Sequence, residues 1–262
     1  MTLPSDLVAK LETECPEICE RLQRLQLKVI AAGQPLPADS LLREHLLHGV
    51  GRRLSVIRRS LINIFSLFPP NTNHPLSEDV IADVQINLHA FVINLYGLFD
   101  NWAWAFVLQH DLESAIPSKQ GIGLFAKATQ KFLPEPLKAY VTARQMVEWH
   151  KEYAKSFRDA LAHRIPLYLP PAEFTPEDGI RYNALESEKV KCIKEHEWGR
   201  LEQIYADQAQ IGRPCFSFLH AFTEDEPPRL ILLHPQLICD AMSVVEFGEL
   251  FLQHWDKVAE HP

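Results

Sequence analysis

Arg158 and His163 stand in Phe157-Arg-Asp-Ala-Leu-Ala-His163-Arg164, at the end of a predicted helix that Pro166 terminates. An arginine, a histidine and a short polar residue so close together suffice to cut a phosphodiester without a metal. A histidine that titrates near neutrality moves a proton to or from the attacking or leaving oxygen, typically worth about a hundred- to ten-thousandfold in rate. The planar guanidinium of Arg158 stabilises charge developing on the phosphate. The matching substrate is RNA, whose 2'-hydroxyl is a built-in nucleophile, and no cofactor is required.

Helical geometry sets a condition on this chemistry. Residues four apart share a face, so Asp159 is expected beneath His163 as hydrogen-bond acceptor for one ring nitrogen. Arg158 lies five positions before His163, about 140° round the cylinder at 100° per residue. Either the helix end distorts near Pro166, or a second surface brings the groups together. A two-fold homodimer would supply such a surface.

With Asp159 as its intervening polar residue, Arg158-x4-His163 near the end of a long helix resembles the R-x4-6-H motif of the HEPN superfamily, a mostly prokaryotic group of helical proteins. The resemblance covers residues 77–165. It implies a helical bundle, catalytic roles for Arg158, His163 and Asp159, a site formed across a homodimer, and metal-independent endoribonuclease activity on RNA. Toxins held by antitoxin partners belong to the group, as do non-catalytic binding members. Arg164 departs from the tyrosine-bearing pattern of one toxin branch. The competing reading is a non-catalytic binding or scaffold protein in which Asp159 and His163 only brace a helix end and Arg164 meets the carboxyl dipole. A hydrolase of small molecules is a third.

Two further sets could serve this motif. Asp83, Asn87, Ala90, Asn94, Gly97 and Asn101 step by threes and fours, forming one polar or small stripe on a very apolar helix. Either it faces the Arg158 helix, so that Asn94, Asn101 or nearby Asp100 completes the site, or it is a structural hydrogen-bond network. Arg52, Arg53, Arg58 and Arg59, with Arg43 two turns earlier, form a basic cluster suited to a phosphate backbone or to a solvated face. Cys15-x3-Cys19, His45-x2-His48 and Cys192-x3-His196 each lack the second ligand pair of a structural zinc site, so no metal is expected. Gly-rich phosphate loops, nucleotide fingerprints, His-Glu-x-x-His and Gly-x-Ser-x-Gly are absent.

The elements that must position these residues are long helices. The chain has 262 residues, 47% of them hydrophobic, with 19 Pro against 10 Gly. This favours one mainly α domain, a HEPN-like bundle with a small β element in its C-terminal part, residues 166–262. Apolar repeats predict helices over 5–30, with Pro16 kinking or splitting the first, then 40–68 and 77–112. A short helix at 124–132 precedes a long one from Pro134 to Arg164. Ile165–Pro170, Cys215–Phe222 and Arg229–His234 read as extended runs of a small sheet, with a turn at 223–228 between the last two. A charged helix over 181–210 and an amphipathic one over 235–259 complete the chain.

A formal charge of −8 gives nucleic acid no global attraction, so RNA must be met by a local basic patch. Five irregularly spaced Cys suit a reducing compartment and no secretory signal is visible, which indicates a cytoplasmic protein. Leu88–Leu108 is nearly long and apolar enough to span a membrane, yet His89, Asn94, Asp100 and Asn101 interrupt it, so it is expected to be a core helix.

Overall fold

The computed structural model describes residues 3–220 and 229–257. The expected 223–228 turn, the last two residues of the 215–222 run and the end of the final helix at 258–259 lie outside them. The described chain is mainly helical, with a two-stranded antiparallel sheet near its C-terminus.

Helix α1, Ser5–Gly33, buries Leu11, Ile18, Leu22, Leu25 and Val29 along one face. It is not split at Pro16, because the buried stripe continues through the proline on both sides. Helix α2 (residues 41–67) joins α-helical Leu41–Arg43, a π-helical stretch Glu44–Gly51 and α-helical Arg52–Leu67. The Gly51 carbonyl accepts a hydrogen bond from Gln26 Nε2 of α1 at 2.9 Å. Helix α3, Glu78–Gln109, starts where Ser77 Oγ accepts from the Val80 N–H and Glu78 and Asp79 complement the helix dipole.

Helix α3 is the centre of the bundle. It has the length and composition of a membrane span, yet its most apolar window is 56% buried inside the fold. Leu88, Phe91, Leu95, Leu98, Trp102 and Phe106 are all buried. This is a core helix, packed along its length by α2 and closed at one end by Phe247 and Phe251 around Trp102.

The helix expected from Pro134 to Arg164 is two helices. Short α4, Lys127–Gln130, precedes α5, Glu135–Thr142, and α6 (residues 144–163) follows after one extended residue, Ala143 at ψ 136°. No Pro or Gly marks that break. Helix α6 comprises Arg144–Glu148, π-helical Trp149–Ala154 and α-helical Lys155–His163. The charged segment also divides, into α7, Pro176–Glu195, and α8, Trp198–Gln208, because His196 adopts a left-handed conformation that reverses the chain.

Strands β1, Ser217–His220, and β2, Arg229–Leu232, pair with Phe218 opposite Ile231. The 165–170 run joins them through one bridge, Tyr168 to Leu219, with Leu167 and Leu169 buried on either side of the exposed Tyr168. Helix α9, Leu233–Gln253, leaves β2 directly and packs against α1. Gly248 permits that approach, since a Cβ there would lie 2.5 Å from Leu25 Cδ2. One core cluster runs from Leu11 to Phe251, while Cys192, Ile204 and Ile211 of the α7–α8 region are buried outside it.

Candidate functional site

The motif helix is held from below. Phe157 and Ala160 of α6 are buried, Phe157 meeting Phe218 edge-to-face at 5.5 Å. Ser156 Oγ lies 2.7 Å from His220 Nε2, both side chains buried. Ser156→Ala removes that partner and is expected to cost about 1–3 kcal/mol of unfolding free energy, measurable by urea titration. A variant as stable as the parent would show that the bond contributes nothing.

Burial of Ser156 and Phe157 turns Arg158 toward α3, where its guanidinium lies 4.4 Å from the Tyr96 ring centroid. Its Nη1 is 3.0 Å from Asp159 Oδ1, and Asp159 Oδ2 takes Lys155 Nζ at 2.6 Å. The expected Asp159–His163 bond is therefore replaced. Two cations reach the carboxylate, one at i−4, and charge-assisted bonds are roughly twice as strong as neutral ones. Burial alone would push the Asp159 carboxyl up; the Lys155 hydrogen bond and the positive charges of Arg158 and Lys155 reverse that and hold it below its ordinary value. His163 stands exposed on the last turn, without a hydrogen-bond partner among the described residues. The α-helix is continuous from Lys155 through His163 and only Arg164 turns extended, so distortion of the helix end does not join His163 to Arg158.

The polar stripe of α3 faces α2 instead of the Arg158 helix. Asn63 Nδ2 donates to Asn87 Oδ1 at 2.9 Å, Arg53 Nε donates to Asn101 Oδ1 at 2.7 Å, and Arg53 Nη1 donates to Asn94 Oδ1 at 3.2 Å. Small residues make these contacts. A Cβ on Gly97 would lie 2.5 Å from Arg53 Cζ, and one on Gly49 would lie 2.6 Å from Asn101 Nδ2. Asn101 Nδ2 in turn reaches His45 Nδ1 at 3.2 Å, and His45 stacks on Trp104. The result is an open cleft of about 590 Å³ between α2 and α3, lined by His45, His48, Arg52, Arg53, Asn94 and Asn101, with Glu44 and Gly49.

The basic cluster divides accordingly. Arg53 enters the cleft wall, Arg52 and Arg59 remain exposed two turns apart on one face, and Arg58 Nε donates to the Cys19 carbonyl on the α1 side. Asp100 lies between the two arginine regions. Its packing pushes the carboxyl up although its side chain reaches solvent, and the charges of Arg158 and Arg53 pull it back. Neither guanidinium makes an ion pair with it among the described residues.

A smaller cleft of about 260 Å³ opens on the other flank of α3, lined by Tyr96, Phe99, Asp100, Gln120, Phe125 and His150 among others. His150 stacks on Phe125 at 3.8 Å and on Tyr96 at 5.7 Å. Burial first, then the charges of Lys155, Lys151 and Arg158, lower its pKa to about 4, leaving the ring neutral at physiological pH. His150, not His163, is thus the histidine placed beside Arg158.

Sequence reasoning missed both His45, as a site residue, and His150. Each is the second residue of a π-helical stretch and each precedes an arginine by eight positions, Arg53 and Arg158. Eight residues are 80° out of phase on a regular α-helix, and the wider π turn reduces that offset. The shared spacing was the available signal. Trp149, at the head of the second π stretch, is tied to α9 by its Nε1, which donates to buried Asp240 Oδ1 at 2.7 Å.

Among the described residues no three His, Cys, Asp or Glu side chains converge into a metal-binding group. Fold and site define a mainly helical bundle whose central helix carries an arginine-bearing polar seam on each flank. No protein-family model, curated protein or solved structure matches the chain.

Proposed function

We propose that this protein is a cytoplasmic, metal-independent endoribonuclease of HEPN type, acting as a homodimer in which Arg158 of one copy and His163 of the other flank the scissile phosphate. The observation that carries the reading is how α6 presents its end. Arg158 is held against Tyr96 and Asp159, while His163 is exposed with no hydrogen-bond partner among the described residues. Such a half-site requires a second surface, and a two-fold axis beside α6 sets each residue opposite its complement.

In the proposed reaction His163 takes the proton of the 2'-hydroxyl as that oxygen bonds to phosphorus. The bond from phosphorus to the 5' oxygen breaks, the departing oxygen takes a proton from solvent, and a 2',3'-cyclic phosphate remains. Arg158 stabilises the phosphorane-like charge. Arg52 and Arg59, exposed along one face of α2, contact the backbone. Five free thiols, four of them buried, support a reducing cytoplasmic location.

The second reading, a non-catalytic HEPN-like protein that binds RNA or a protein partner such as an antitoxin, is favoured by Asp159, which serves Lys155 and Arg158 and leaves His163 without an orienting carboxylate. Incubating purified protein with single-stranded RNA in excess chelator separates the two. Fragments with 2',3'-cyclic phosphate ends, produced by a species that sediments as a dimer, support the nuclease; binding without fragments supports the second reading.

A further inference from the structure

We propose that the cleft between α2 and α3 is a binding site for a terminal phosphate group, anchored by the Arg53 guanidinium. The inference does not depend on cleavage at Arg158 and His163.

Arg53 is partly buried, and among the described residues its hydrogen-bond partners are two neutral amides, with no carboxylate in an ion pair. A cation withdrawn from water is normally matched by a carboxylate, because its desolvation cost is otherwise left uncompensated. Here α3 offers Asp100 next to Asn101, yet among the described residues Arg53 is fixed by Asn101 and Asn94 and meets Asp100 only through space, without an ion pair. Its Nη2 donates no hydrogen bond among the described residues. Gly97 fixes the position further, since any side chain there would displace the guanidinium. An arginine held by two amides, with one guanidinium nitrogen left over and no carboxylate in direct contact among the described residues, is preorganised for an incoming oxyanion.

The surroundings define the class of ligand. Arg52 adds a second cation, the Asn94 and Asn101 amides line the wall, and exposed His48 stands at the rim. A volume of about 590 Å³ admits a phosphate with a nucleoside attached. The His45 ring, backed by Trp104, gives a flat face beside the anion site. Glu44 is the one carboxylate in the lining, and it opposes the anion. Two sources share this chemistry: the 5'-phosphate end of an RNA, and a free mononucleotide or inorganic phosphate.

Calorimetric titration with four probes tests the site: inorganic phosphate, uridine 5'-monophosphate, a short 5'-phosphorylated RNA and the same RNA with a 5'-hydroxyl. The phosphorylated RNA is expected to bind about tenfold or more tighter than its hydroxyl form. Arg53→Gln and Gly97→Ala should each remove that preference with circular dichroism unchanged. Arg53→Lys should restore little, because the fork is lost. Glu44→Gln should tighten binding, and His163→Ala should leave it unaltered. Binding of both small probes with similar strength assigns the site to free nucleotide; binding of the phosphorylated RNA alone assigns it to the RNA end. Equal affinity for the phosphorylated and hydroxyl RNAs without binding of the small probes, or folded Arg53→Gln that binds like the parent, overturns the proposal. Should Gly97→Ala and Arg53→Gln both fail to fold, an unchanged affinity in Glu44→Gln overturns it in their place.

Discussion

Replacing His163 with alanine is expected to lower RNA cleavage by about a hundred- to ten-thousandfold, the range of a general base, without moving the unfolding midpoint. The second half of that expectation follows from exposure: His163 sits on the last turn of α6 and has no hydrogen bond among the described residues to lose. Arg158 differs, since truncating it to alanine also removes the contact with Tyr96 and one partner of Asp159. Arg158→Lys therefore separates the roles, keeping a charge but not the planar fork. The two variants also test the proposed homodimer. When Arg158→Ala and His163→Ala proteins are mixed and allowed to exchange, half of the dimers hold one intact pair, so about a quarter of native activity should return. A mixture that stays inactive places both residues of the working site in one copy. Undiminished cleavage by His163→Ala removes that residue from the chemistry altogether.

Much of the scaffold was legible because its signals are local. Ser77 with Glu78 and Asp79, the prolines at 69–75 and the spacing of Leu88, Leu95 and Trp102 define α3 without reference to any other segment. The same holds for the sheet, where Leu167 and Leu169 alternate with Tyr168. The break at Ala143 was not legible, since neither Gly nor Pro stands there and the buried Leu137 and Val141 before it fit a continuing helix equally well. The π stretches were hidden for a related reason. Each carries a hydrogen bond to a residue distant in sequence, Gln26 for Gly51 and Asp240 for Trp149, which no local pattern announces.

For the site, sequence reasoning named Arg53, Asn94 and Asn101 but assigned them to separate sets; only the approach at Gly97 and Gly49 reveals one network. The Asp159 pairing failed through competition. Lys155 and His163 stand at equal spacing on either side of Asp159, and the carboxylate pairs with the ammonium. Arg158, beside it in sequence, completes the pairing.

Asp240→Asn should be more stable than the parent by an amount that grows from nothing below pH 3.8 to about 3 kcal/mol once pH has risen past 6. Asp240 is buried on α9, where Trp149 Nε1 and Gln236 Nε2 both donate to its Oδ1. Burial raises the carboxyl from 3.8 to about 6, and the two hydrogen bonds only moderate that rise. The folded protein therefore favours the protonated acid. Below pH 3.8 the group is neutral folded and unfolded, and no cost arises; as pH rises through 6 the buried carboxylate ionises and the full penalty applies. Asparagine keeps the Oδ1 acceptor and never ionises. His234 acts in the opposite sense over nearly the same window. It is buried, its Nε2 donates to the Phe68 carbonyl at 2.6 Å, and burial lowers its pKa from 6.5 to about 4. Its contribution, also about 3 kcal/mol, is present above pH 6.5 and is lost as pH falls toward 4. His150 and His220, both lowered to about 4 by burial, act in the same direction. Acidification of the parent thus relieves Asp240 while it strains the histidines, which flattens the stability curve. In Asp240→Asn only the histidine loss remains, so urea titrations should show a steeper fall below pH 6.5. Parallel curves, offset by a constant amount at every pH, would show that Asp240 ionises in the fold as freely as it does in the unfolded chain.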